Sequence, residues 1–168
     1  MKHFQITVIL LLSATLAFAQ KSNDPAFEKM LKNLIDFTVP TVSVKTLKNW
    51  QQTKTIYLLD AREKVEYNVS HIKDAQYIGY ERFSKKSLKK IPKNSIVVLY
   101  CSVGYRSGKL VQKLQKMGYK NAYNLHGSIF EWVNQGNPVV DKKGKPTKQV
   151  HTYNKDWSKW LKRGKKVY

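Results

Sequence analysis

The chain has 168 residues and carries 31 Lys and Arg against 11 Asp and Glu, a formal charge of +20, which leaves room for one domain of ordinary size. Charge of this kind speaks about partners and not about fold: the lysines are scattered without a recognition motif, so nucleic acid is an unlikely partner, and an acidic envelope surface or protein, or small anions, suits them better. One cysteine excludes an internal disulfide, and four histidines beside it give no metal-ligand spacing, so neither metal nor other cofactor is expected.

Residues 1–19 read as an export signal, with Lys2 at the positive end, an apolar stretch from Ile6 to Phe18, and Ala17-Phe18-Ala19 as a cleavage site before Gln20. The stretch is too short to span a bilayer, so the mature chain is expected to have no transmembrane span and to be periplasmic or secreted. A lone thiol in an oxidising compartment is exposed to oxidation and capping. Its presence there tilts the reading toward a functional sulfur.

Residues 20–40 form an N-terminal extension in which Phe27, Met30, Leu31, Leu34 and Ile35 recur at helical spacing, predicting a short amphipathic helix. The main domain is expected over 41–140. Val42 and Val44 fit a first strand, Leu47 to Gln51 a helical turn with Trp50 facing the core, and Ile56 to Leu59 a buried strand ending at Asp60. Arg62 to Asn68 reads as helix, and His71 to Ile78 as a turn into a third strand. Phe83, Leu88 and Ile91 mark another helix face. Ile96 to Tyr100 is a second buried strand, followed by Cys101 and a helix from about Ser107 with Leu110, Val111, Leu114 and Met117 on its apolar side. Gly118 closes that helix, Ala122 to Leu125 forms the last strand, and Ile129 to Asn134 the last helix. Residues 141–168 form a basic, aromatic C-terminal extension; Tyr153, Trp157, Trp160 and Leu161 would share one face of a short helix folded back on the domain.

Strands alternating with helices at this spacing imply a parallel sheet covered on both faces, because parallel neighbours need crossover connections. Ligands in such sheets bind beyond the carboxyl ends of the strands. Cys101 and Asp60 both lie at such ends. At Cys101 the chain passes from strand to loop to helix, so amide groups and the positive helix end face the sulfur, conditions that lower a thiol pKa. The alternative is an inert apolar cysteine at a strand end.

The segment Cys101-Ser102-Val103-Gly104-Tyr105-Arg106-Ser107 resembles the C-x-x-G-x-R-S active-site loop of rhodanese-type sulfurtransferases. Asp60-Ala61-Arg62, Glu66-Tyr67, His71-Ile72 and Ala75 upstream, and Gly118-Tyr119, Leu125-His126-Gly127 and Trp132 downstream, fall in that family's order. The resemblance covers Val42 to Pro138 and implies an α/β rhodanese-like fold, a five-stranded parallel sheet in the order 1-5-4-2-3, with helices on both faces. Two positions depart from the pattern: Ser70 before His71, and Ser128 after Gly127, stand where the family usually has glycine.

The resemblance implies that Cys101 accepts a sulfane sulfur from a donor such as thiosulfate, holds it as a persulfide, and passes it to a thiol or cyanide. The loop from Ser102 through Ser107 would form the substrate-binding cradle, with the Arg106 fork suited to an oxyanion. Arg106 has a second reading, as a brace against Asp60 or Glu66; Asp60, Arg62 and Glu66 are expected to support the loop from behind, with Arg62 pairing with Glu66. Neither His71 nor His126 is assigned as a base, although the His126 loop could approach the pocket.

Two rival readings remain. Phosphatases of similar fold also use a Cys and an Arg, but with five residues between them, whereas four separate Cys101 from Arg106. A non-catalytic rhodanese-like binding module in the cell envelope, docked through its basic tail, is the other.

Overall fold

A computed structural model describes residues 22–35 and 37–168; the export signal expected over residues 1–19 lies outside the described residues. The sheet is built outward from its two most apolar strands. β2 (Ile56–Asp60) and β4 (Ile96–Tyr100) run parallel, with Ile56 opposite Ile96 and Asp60 opposite Tyr100. Both are covered on both faces, which is why they read as continuous apolar runs and not as alternating ones. β1 (Thr41–Val42), β5 (Ala122–Leu125) and β3 (Gln76–Tyr77) complete five parallel strands in the order β1-β5-β4-β2-β3, the order the resemblance implies.

Alternation along β4 divides the core in two. Val98 and Tyr100 face a cluster formed with α1 (Pro25–Leu34), α2 (Val44–Thr53) and α5 (Ser128–Asn134), where Phe27, Leu31, Leu47, Ile129 and Phe130 are buried. Val97, Leu99 and Cys101 face the opposite cluster, with Leu110, Val111 and Leu114 of α4 (Tyr105–Lys116). Cutting any of these fully buried leucines to alanine would cost about 2–5 kcal/mol. The short α3 (Lys64–Val69) links β2 to the segment that enters β3.

Several elements differ from the sequence reading. α4 begins at Tyr105 and not near Ser107, because Gly104, at φ 121°, turns the chain directly into the helix and its carbonyl accepts from the Gly108 amide at 3.0 Å. Phe83 to Ile91 holds only a single 3-10 turn, Lys85–Leu88, capped by Ser84. The four tail residues do not share a helix face. A 3-10 turn covers Trp157–Trp160, Leu161 is extended beyond it, and Tyr153, at φ 68°, sits before it as a turn residue.

The tail nevertheless enters the core. β6 (Val139–Val140) pairs antiparallel with β7 (Pro146–Thr147), and β8 (Gln149–His151) pairs parallel with β9 (Lys165–Val167). Val150 and Leu161 are fully buried in the same cluster as Phe27, and the Trp160 ring lies 5.7 Å from the Phe27 ring. The two extensions therefore meet each other on one face of the sheet. No helix among the described residues is long and apolar enough to cross a membrane.

Candidate functional site

Cys101 leaves the carboxyl end of β4 with 1 % of its surface exposed. Two neighbouring segments fix the loop that follows it. From the start of α5, the Ser128 hydroxyl accepts the Cys101 amide at 3.1 Å, while the Ile129 and Phe130 amides donate to the carbonyls of Cys101 and Ser102, both at 3.2 Å. From β5, the Asn124 side chain donates to the Gly104 carbonyl at 2.9 Å and accepts from the Ser107 hydroxyl at 2.7 Å. Val103 points into the core, and Ser102 and Ser107 are buried, so the loop is a packed part of the fold.

The Gly104 amide donates to the Cys101 Sγ at 3.1 Å. Burial opposes the thiolate, but the Arg106 charge, the hydroxyl and amide of Ser107, and the Gly104 amide outweigh it and bring the thiol below its ordinary value. Of the expected cradle, the Gly104 amide makes the hydrogen bond to the sulfur at 3.1 Å; the Ser107 hydroxyl proton goes to Asn124, so Ser107 favours the thiolate chiefly through its amide. A side chain at Gly104 would bring strain at φ 121° and press the Ile35 side chain, with a Cβ contact of 3.2 Å.

Arg106 closes on Glu66. Nη1 donates to Oε2 at 2.7 Å, Nη2 to Oε1 at 2.9 Å, and Nη2 also to the Ser102 hydroxyl at 3.0 Å. Glu66 occupies the third position of α3, where Oε2 also accepts the Glu63 amide at 2.9 Å, so the helix start turns this carboxylate inward. Burial would raise the Glu66 pKa, but Arg106, Arg62 and the Glu63 amide hold it below the usual carboxylate range.

Arg62 makes a different pair from the one expected of it. Its Nη2 donates to Asp60 Oδ2 at 2.7 Å and to the Ser70 carbonyl at 2.6 Å, with both side chains of the Asp60–Arg62 pair wholly buried. Nearness in sequence suggested Glu66 as partner, but Glu66 belongs to Arg106. The Asp60–Arg62 pair ties the end of β2 to the end of α3, and the Tyr100 ring lies against the guanidinium at 5.7 Å. Burial would release the Arg62 proton; the Asp60 carboxylate raises its pKa and keeps it charged.

Above the sulfur, a cavity of about 190 Å³ is lined by Leu34, Cys101, Ser102, Tyr105, Arg106, Tyr153 and Trp157. Three of these come from the extensions. The Tyr153 ring lies 5.3 Å from the Arg106 guanidinium, and Tyr105 packs edge-on against Phe37 at 5.7 Å. His151, also from the tail, is buried; its Nδ1 accepts the Tyr153 amide at 3.0 Å. His126 lies elsewhere, on Glu28 of α1 at 2.8 Å, and His71 stacks on Tyr67 at 3.9 Å. Among the described residues, no three His, Cys, Asp or Glu side chains gather as a metal-binding group.

Sequence reasoning assigned no site role to Asn124, Ser128, Leu34, Tyr153, His151 or Trp157. Only Ser128 carried a signal, as a departure from glycine. The aromatic residues of the tail were visible, but nothing in the spacing aimed them at Cys101.

The sequence profile of the Rhodanese-like domain matches residues 43–135, more than half of the chain. The chain belongs to the rhodanese-like family. A sulfurtransferase of Allochromatium vinosum is 33 % identical over 92 residues, covering 55 % of this chain and 85 % of that protein. A probable adenylyltransferase/sulfurtransferase, MoeZ, of Mycobacterium tuberculosis is 33 % identical over 100 residues; the match covers 58 % of this chain but only 26 % of MoeZ. Among solved structures, a rhodanese-like domain from Anabaena sp. superposes with a TM-score of 0.56 at 21 % identity, covering 62 % of this chain and 80 % of that one. A human single-domain sulfurtransferase gives a TM-score of 0.52 at 22 % identity over 58 % of this chain and 98 % of that one. These two likenesses are of fold. Leu34, Tyr153 and Trp157, which wall the cavity, all lie outside the matched segment.

Proposed function

We propose that this protein is an exported sulfurtransferase that carries sulfane sulfur as a persulfide on Cys101. The observation that carries the reading is the placement of Cys101 on the wall of a cavity, with the Gly104 amide on its sulfur at 3.1 Å and Arg106 lining the same cavity, surroundings that favour the thiolate. The thiolate attacks the outer sulfur of a donor such as thiosulfate. A bond forms from Cys101 Sγ to that sulfur, the donor's sulfur–sulfur bond breaks, and its electron pair leaves with sulfite. An acceptor thiolate or cyanide then takes the outer sulfur and returns Cys101 as thiolate, so no external oxidant or reductant is consumed.

Family membership and the sulfurtransferase relative support the reaction class, and the apolar stretch of residues 6–18 supports export. Arg106 supports the reaction chiefly through its charge beside the thiolate, because two of its nitrogens are held by Glu66 and Ser102. The test is incubation of reduced protein with thiosulfate followed by intact and peptide mass spectrometry. One added sulfur on the Cys101 peptide is the expected result, and unmodified protein refutes the reading.

A further inference from the structure

We propose that the Cys101 cavity is built for a sulfane donor bearing a sizeable apolar group, such as an aryl thiosulfonate, in preference to a donor with a small group or none. The inference rests on the sulfur-transfer reading above and names the donor class for that site.

Charge argues first. Among the described residues Arg106 is the one charged side chain lining the cavity; its donors are committed to Glu66 and Ser102, and its charge already faces the Cys101 thiolate. A small dianion entering there would be stripped of water beside the Cys101 thiolate, with no second cation among the described residues of the wall to meet it. No lysine among the described residues lines this cavity.

The wall argues second. Leu34, Tyr105, Tyr153 and Trp157 surround the approach to the sulfur, and three of them are contributed by segments outside the family-wide domain. Those segments are held in place by buried contacts, Leu31 and Phe27 from α1 and Leu161 and Val150 from the tail, so the wall is a fixed part of the structure. At about 190 Å³ the cavity has room for a ring or short alkyl chain placed between the tyrosines and Trp157, with the reacting sulfur at Cys101.

The step balances as for thiosulfate. The Cys101 thiolate attacks the terminal sulfur of R–SO₂–S⁻, the new S–S bond forms, the old one breaks, and the electron pair leaves on the sulfinate R–SO₂⁻.

The experiment compares benzenethiosulfonate with methanethiosulfonate, two donors of equal charge that differ in the apolar group, each rate normalised to the same donor's reaction with a small free thiolate. The expected result is a preference of at least about tenfold in kcat/KM for the aromatic donor, a scale set by what apolar groups gain in a fitted pocket. That preference should shrink several-fold in Trp157→Ala. Because Trp157 also packs on the core, Tyr153→Ala is the second variant: its side chain is more than half exposed, and it should shrink the preference as well. Binding of the leaving groups, benzenesulfinate against methanesulfinate, measured by calorimetry, reads the same cavity without turnover. Equal normalised rates and equal sulfinate affinities, or a preference unchanged in both variants, overturn the inference. If no donor loads Cys101, the sulfur-transfer reading falls, and the sulfinate affinities then decide the nature of the cavity by themselves.

Discussion

The Arg106 guanidinium grips the Glu66 carboxylate with two hydrogen bonds, Nη1 to Oε2 at 2.7 Å and Nη2 to Oε1 at 2.9 Å, across 40 residues of sequence and between two different helices. Glu66 is almost wholly buried and Arg106 mostly so. Removing one partner therefore leaves a charge in a poorly solvated place, the costly way to break an ion pair. Arg106→Ala should lower stability by about 3 kcal/mol and return the Cys101 thiol toward its ordinary value. Chemical denaturation and the pH dependence of Cys101 alkylation read the two effects separately. An unchanged denaturation midpoint would contradict the brace.

Acid stability follows from the same carboxylate. The folded pKa of Glu66 is depressed, so the pair's contribution is fully present above the ordinary carboxylate value and is lost as pH falls through the depressed folded value. Glu66→Gln should flatten that part of the stability profile. A variant whose stability between about pH 5 and about pH 3 falls as steeply as the parent's would contradict it.

Ser128 adopts φ 53°, a left-handed conformation that costs a residue with a side chain about 1–2 kcal/mol, while its hydroxyl satisfies the buried Cys101 amide at 3.1 Å. Leaving that amide unpaired costs about 1–3 kcal/mol. Ser128→Gly loses the bond but relieves the backbone, so it should stay within about 1 kcal/mol of the parent. Ser128→Ala loses the bond and keeps the strain, and should be the less stable of the two. Thermal melts of the pair give the order; alanine equal to or better than glycine would show that the left-handed backbone at this position carries no strain.

His151 adds a pH term from the tail. Burial lowers its pKa, Glu66 pulls it back up, and the Arg62 and Arg106 charges lower it further. The unfolded chain therefore binds a proton more readily than the folded one. Its contribution is present above the ordinary imidazole value and is lost as pH falls through the depressed folded value. His151→Gln should remove part of the stability difference between about pH 7.5 and about pH 5.5. Denaturant midpoints at the two values would show it, and an identical difference in both proteins would contradict it.

The sheet was legible because its central strands are buried on both faces: Ile56 to Leu59 and Ile96 to Tyr100 are unbroken apolar runs that end where Asp60 and Cys101 begin. The loop was legible because Gly104, at φ 121°, and the Cys-to-Arg spacing are local features. Pairings between charges were not. Arg62 and Glu66 are neighbours on paper, yet the third position of α3 turns Glu66 toward α4, and the end of β2 gives Arg62 to Asp60 instead. The tail misled in a similar way. The spacing of Tyr153, Trp157, Trp160 and Leu161 fits a helix, but the turn at Tyr153 and the extended backbone of Leu161 spend those side chains on different tasks: Tyr153 and Trp157 at the cavity, Leu161 in the core.

The central claim is that Cys101 is a thiolate nucleophile for sulfane sulfur. The most direct test is the rate of persulfide formation on Cys101 as a function of pH, followed by quenched-flow mass spectrometry with thiosulfate or a thiosulfonate as donor. The rate should rise with pH and level off below the ordinary thiol value, because burial is outweighed by Arg106, Ser107 and Gly104, and the rising limb should move to higher pH in Arg106→Ala. No sulfur on Cys101 at any pH, or a limb at the ordinary thiol value that Arg106→Ala leaves in place, would contradict it.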